Sequence, residues 1–324
     1  MGLPLRHSPW IQILTMKQIL VWLLLSQAFQ QYCFGQTSRF DSIIKKQIST
    51  KEELRKIQPN HFLIQPIGDA GNIGVFNGKR RLILIDNQLG VLAPKIKQQL
   101  KSITPRKPSL IINTHFHYEH TNGNLVFGSE LIPIVAHENT RIRMEKDRLL
   151  SAPVSVIQKA YPTKGLPTIT FVERMQLHDE NETIELTHVK KAHTDGDIII
   201  QFKNANVFYT GDLFVRNALP FIDENNGGDI YGMIQAINYL INIANEASKI
   251  VPGHGDVCGM KELREYRDML TTIRNKTISL AREKKSEEEI ITNMLEFIKT
   301  NDSYVNKKVF TLHTLRMVQK HERL

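Results

Sequence analysis

The chain has 324 residues, 41% of them hydrophobic and 23% charged. That is the balance of a globular protein able to bury a sizeable core, and it excludes a disordered or fibrous chain. The formal net charge is +9, but Lys and Arg are scattered without a dense block, so the expectation is a soluble basic protein with a small-molecule substrate rather than a nucleic-acid binder.

Met16-Lys17 opens an apolar run, Ile19-Leu20-Val21-Trp22-Leu23-Leu24-Leu25, followed by small and polar residues as far as Gly35. This reads as a secretory signal peptide over 1–35, cleaved after Ala28 or Gly35, and predicts a secreted or periplasmic protein. The run is far short of the roughly 20 apolar residues that span a bilayer, so no stable membrane anchor is expected. Removal of residues 1–35 takes away Arg6, Lys17 and Cys33 and leaves a net charge of +7 with Cys258 as the single cysteine. An intramolecular disulfide is then excluded, even in an oxidising compartment.

Residues 36–60 form a polar lead-in with a helical look, as in Ser42-Ile43-Ile44-Lys45-Lys46-Gln47-Ile48. Strand signals follow. His61-Phe62-Leu63-Ile64 is a short apolar run, and Gly71–Phe76 leads through Asn77-Gly78 to Leu82-Ile83-Leu84-Ile85-Asp86, a hairpin signal. Leu92, Ile96, Leu100 and Ile103 lie at helical spacing before Pro105, and the next strand is Leu110-Ile111-Ile112-Asn113. Further strands are expected at 132–135, 168–172, 185–189, 198–202, 207–209 and 249–251, and helices at 138–147, 229–247, 260–284 and 287–299, the last opened by the capping box Ser286-Glu287-Glu288-Glu289. Residues 150–168, with Pro153, Pro162, Gly165 and Pro167, lack a clear pattern and read as a long loop. Two sheets with helices outside, one α/β domain of four layers, is the architecture implied.

The string Thr114-His115-Phe116-His117-Tyr118-Glu119-His120 directly follows the strand ending at Asn113. Three imidazoles and a carboxylate at the mouth of a buried strand are costly without a partner, and a divalent cation supplies one. Alternate residues of extended chain point to opposite sides, so a turn is needed, and Thr121-Asn122-Gly123-Asn124 is the candidate. Further ligands are expected at strand ends downstream: His193 before Thr194-Asp195-Gly196-Asp197, Asp212 in Thr210-Gly211-Asp212, and His254 in Pro252-Gly253-His254-Gly255. Glycine beside each lets the backbone turn sharply. His61, His137, His178, His188, His313 and His321 read as surface or core residues, and Cys258 as a packed thiol. Asp195 and Asp197 suit either a turn cap or a supporting role, and residues 216–228 suit either a cleft rim or a connection.

These spaced motifs, with Asp86 at a strand end, resemble those of the metallo-β-lactamase superfamily over Phe62 to Val257. The resemblance implies an αββα sandwich, with the fold's core over 61–258 and the helices of 259–324 packed on the same domain. It implies that His115, His117 and His193 hold one metal, that Glu119, His120 and His254 hold a second, and that Asp212 bridges them. Two zinc ions per chain are expected, with iron as the alternative metal. The family's usual pattern has aspartate where this chain has Glu119. The implied chemistry is hydrolysis of a β-lactam, lactone, thioester or similar carbonyl compound by a metal-bound hydroxide, with Glu119 and Asp212 as catalytic carboxylates. Its rivals are an iron-dependent sulfur dioxygenase of the same fold and a catalytically impaired metal-binding protein.

Overall fold

A computed structural model describes residues 51–66, 70–150, 156–299 and 305–323. The expected signal peptide and the lead-in as far as residue 50 lie outside the described residues. Seven strands form the first sheet: β1 (Glu52–Gln58), β2 (His61–Pro66), β3 (Ile73–Asn77), β4 (Leu82–Ile85), β5 (Leu110–Ile112), β6 (Ile134–His137) and β9 (Ile169–Phe171), in that order across it. β1 to β4 run antiparallel in sequence, and β4, β5, β6 and β9 are parallel. The second sheet orders β10 (Arg174–Asp179), β11 (Glu182–His188), β12 (Ile198–Phe202), β13 (Val207–Tyr209) and β14 (Lys249–Val251), antiparallel except for β13 with β14. A separate hairpin pairs β7 (Arg148–Leu150) with β8 (Val156–Gln158).

The two-residue period of the strands builds the layers. In β4, Ile83 and Ile85 face the second sheet, packing with Ile198, Ile200, Val207 and Tyr209, while Leu82 and Leu84 face outward to α1 (Ala93–Ile103) through Ala93, Ile96 and Leu100. In the second sheet Ile199, Phe208 and Ile250 turn to the opposite outside. There they meet α5 (Ile230–Ile243), α6 (Met260–Arg282), α7 (Glu287–Phe297) and α8 (Lys307–Glu322). Helix, sheet, sheet, helix is the expected four-layer order.

Several details depart from the sequence reading. Residues 52–58 of the lead-in are strand, not helix: β1 is an edge strand paired with β2 and bulged between Lys56 and Gln58. An edge tolerates the charges that masked its alternation. The pattern-free stretch 150–168 contains β8, and β10 lies where no strand was expected. The Asn77-Gly78 hairpin closes by a four-residue link, since Asn77 pairs with Leu82. The backbone N–H groups of Arg80 and Arg81 donate to the Asp179 carboxylate instead of to each other's strand.

Candidate metal centre

Strand ends aim the expected ligands at one place. His115 and His117 lie two residues apart in the bent link after β5, and at His117 (φ −61°, ψ 145°) the backbone turns into α2, Tyr118–Thr121. His120 N and Thr121 N both donate to the His117 carbonyl at 3.1 Å, and the Thr121 hydroxyl donates to the carbonyls of Phe116 and His117. The converging turn is therefore this helical one, just ahead of the Thr121–Asn124 position expected. It brings the His120 ring to 4.4 Å from that of His115.

His193 sits in the link between β11 and β12, where Asp197 accepts from His193 N at 2.7 Å and Thr194 N at 2.8 Å. Asp197 thus closes the turn, and burial lifts its pKa to about 7. Asp195 instead pairs with Arg143. Asp212 follows β13 in a tight turn that needs Gly211 at φ +51°. His254 follows β14 in a loop clamped by Asn72, whose Nδ2 donates to the Pro252 and Gly255 carbonyls at 2.9 and 2.8 Å. Gly253 is required for close approach: a Cβ there would lie 1.9 Å from Asp212 Oδ1.

Two groups of donors result. His115, His117 and His193 offer nitrogens within 4.8 Å of one another, and Glu119, His120, Asp212 and His254 offer two carboxylates and two imidazoles in the same compass. None of the seven is more than 7% exposed. Asp212 lies between the groups, with Oδ1 3.2 Å from His120 Nε2 and 3.3 Å from His254 Nε2, and Oδ2 3.8 Å from His193 Nε2.

The far side of each central imidazole is pinned. His115 Nδ1 meets the Thr114 hydroxyl at 3.0 Å, His193 Nδ1 the Phe221 carbonyl at 2.6 Å, His117 Nε2 the Asp223 carboxylate at 3.0 Å, and His120 Nδ1 the Asp86 carboxylate at 2.9 Å. A ring proton held in each such bond would leave the other nitrogen as a lone pair facing inward, free to ligate a metal. His117 Nδ1 and His193 Nε2 then oppose one another at 2.9 Å, and buried His115 Nε2 has no hydrogen-bond partner among the described residues. Converging lone pairs in a buried site need a cation, so the donor set fits a pair of divalent metals.

Charge follows the same geometry. Burial and the neighbouring imidazoles hold His115 well below the ordinary range, and burial with His117 beside it pushes His193 down to about 3. At His117 burial opposes the cation, but Asp223 and Glu119 outweigh it and raise the pKa. At His120 burial is likewise outweighed, here by Asp212 and Asp86. Burial alone would raise Asp212, yet His254 and His120 hold its carboxyl well below the usual range.

Asp86 and Asp223 are the carboxylates behind His120 and His117. Asp86, at φ +60° just past β4, accepts from Thr114 N at 2.8 Å and the Thr114 hydroxyl at 2.7 Å as well as from His120. Asp223 was not singled out from the sequence. It lies in the 216–228 stretch, and the pair Asp223-Glu224 after Phe221-Ile222 carries no spacing signal.

Residues 66–254, more than half of the chain, match the family model described as the metallo-beta-lactamase superfamily. A probable metallo-hydrolase of Methanocaldococcus jannaschii is 25% identical over 194 residues, 59% of this chain and 90% of that protein. Among solved structures, a metallo-beta-lactamase from Pontibacter korlensis matches with a TM-score of 0.53 at 18% identity, over 68% of this chain and 99% of its own. The stereoselective inverting sec-alkylsulfatase of a Pseudomonas species matches with a TM-score of 0.60 at 15% identity, over 83% of this chain and 50% of its own. The chain belongs to the metallo-β-lactamase superfamily, with Glu119 in its donor cluster where the family's usual pattern has aspartate.

Proposed function

We propose that the protein is an exported hydrolase that cleaves a small carbonyl compound, a β-lactam, lactone, thioester or similar ester, with two zinc ions. His115, His117 and His193 hold the first, Glu119, His120 and His254 the second, and Asp212 is shared. The observation that carries this reading is the Asp212 carboxylate, one oxygen set among the second group and the other turned toward His193. Bound there, the cations supply an activated water and polarise the carbonyl.

The chain's own residues do the rest. Thr114, Phe221, Asp223 and Asp86 keep four imidazole lone pairs turned inward. Asp212 and Glu119 supply the two carboxylates of the cluster, and with metals bound they would help orient the water. Burial of all seven donors keeps the electrostatics at the site strong. The partner proposed is a small-molecule substrate rather than a nucleic acid, in keeping with Lys and Arg that are scattered along the chain without a dense block.

Metal quantification on the purified protein with a substrate panel of β-lactam, lactone and thioester tests the reading. Two equivalents of zinc and turnover of at least one class are expected. Iron with thiol-dependent oxygen consumption would replace it by the dioxygenase, and bound metal without turnover by a metal-binding protein. Export predicts a mature N-terminus near Phe29 or Gln36, and recovery of exported protein that still begins at Met1 or Met16 would remove that part.

A further inference from the structure

Phe221-Ile222-Asp223 forms a strap behind the first histidine group. The Phe221 carbonyl takes the His193 Nδ1 proton at 2.6 Å, Asp223 N donates back to the His193 carbonyl at 2.9 Å, and Asp223 Oδ2 takes the His117 Nε2 proton at 3.0 Å. The Phe221 ring also stacks on His117, with centroids 5.7 Å apart at 21°. One three-residue segment therefore holds two imidazoles that lie 76 residues apart in sequence.

Asp223 is 1% exposed. Besides His117, its Oδ2 accepts from Asn226 Nδ2 at 2.7 Å, while Oδ1 has no hydrogen-bond partner among the described residues. Asn226 is itself fixed: its Oδ1 accepts from Arg143 at 3.3 Å, and its Nδ2 also reaches the Leu149 carbonyl at 3.3 Å. A carboxylate buried with so few donors is expensive unless a positive charge reaches it through the imidazole. A metal on the far nitrogen supplies that charge, because it makes the ring's remaining N–H a stronger donor.

We propose that Asp223 is a positioning residue that commits His117 to present Nδ1 to the first metal. This rests on the metallo-hydrolase reading. A neutral imidazole carries one ring proton, and without an acceptor behind Nε2 that proton is free to sit on Nδ1 and block the ligand lone pair. The Asn226 contact holds the carboxylate in the one orientation that prevents this.

Zinc titration against a competing chelator, on the full chain and on Asp223→Ala and Asp223→Asn, tests the proposal. Nitrogen-15 NMR of labelled histidines in the zinc-loaded proteins gives the tautomer. The parent is expected to bind two equivalents with the His117 proton on Nε2. Asp223→Ala should weaken the first site by about 10–100-fold, the cost usual for losing such a partner, and Asp223→Asn, which keeps an acceptor oxygen without the charge, should recover part. Unchanged zinc affinity in Asp223→Ala, or a His117 proton on Nδ1 in the parent, would overturn the proposal. So would equal loss in both variants accompanied by a matching drop in thermal stability, because that is a structural role. If the parent binds no metal, the metallo-hydrolase reading falls first and takes this inference with it.

Discussion

His61 should make the protein acid-labile for a reason unrelated to metal. It opens β2, is fully buried between the sheets, and packs its ring against Phe76 and Phe202 with centroids 5.0 and 4.6 Å away. Its Nδ1 lies 3.3 Å from the Tyr209 hydroxyl. It pairs with Phe76 at the far end of β3 from Asn72, which clamps the His254 loop. Burial pushes its pKa from 6.5 down to about 4. Above pH 6.5 the imidazole is neutral in both folded and unfolded chains and adds no pH dependence. As pH falls below 6.5 the unfolded chain takes up a proton that the folded one refuses, so stability is lost progressively until about pH 4. The gap between those values amounts to about 3 kcal/mol at the acid limit and about 2 kcal/mol at pH 5. Urea unfolding of the parent and of His61→Gln at pH 7.5 and pH 5 measures it, and metal release on acidification cancels in the difference between the two proteins. The parent's stability relative to the variant should fall by about 2 kcal/mol between those pH values. A difference that stays constant with pH would refute the reasoning.

The other expectations concern the metal centre and the buried Cys258 thiol. Gly253→Ala should cost both metal and hydrolysis, since its Cβ has no room beside Asp212 Oδ1; a variant with full metal content would show that the loop yields. Glu119→Asp should tighten the second metal and keep or raise hydrolysis, whereas Glu119→Ala should lose that metal and keep the first; an alanine variant holding two equivalents as tightly as the parent would show that Glu119 is not a ligand. Stripping metal with a chelator should lower Tm, because the inward lone pairs of the buried histidines lose their cation. An unchanged Tm would mean the cluster is stable empty. Cys258 is buried and its thiol is pushed up to about 12 by burial, so a chromogenic disulfide reagent should react with it in urea and not in the native protein.

Local patterns carried much of the architecture. β12, β13 and β14 occupy the residues that their apolar runs marked, 198–202, 207–209 and 249–251, because strands buried on both faces are mostly apolar, with Gln201 and Lys249 at the less buried positions. β1 and β10 escaped notice because their exposed positions carry charge and polarity that dilute the alternation, as in Glu52-Glu53-Leu54-Arg55-Lys56 and Arg174-Met175-Gln176. The turn after His117 was expected too late, since Asn122-Gly123 is a stronger local turn signal than the Thr121 hydroxyl that captures the Phe116 and His117 carbonyls.

For the site, the sequence alone determined which side chains were candidates: imidazoles and acids at the ends of apolar runs beside glycine, a density that burial makes costly without a cation. The motifs marked Asp86, but nothing along the chain paired it with His120 or pointed to Asp223 and Phe221 behind His117 and His193. Asp223 and His117 are 106 residues apart, Asp86 and His120 34, and Phe221 and His193 28. Only the packing of the two sheets and their end loops brings each acceptor to its ring. The choice of which imidazole nitrogen carries the proton, and so which one is left for a metal, belongs to tertiary structure because a hydrogen bond depends on distance in space and not on separation along the chain.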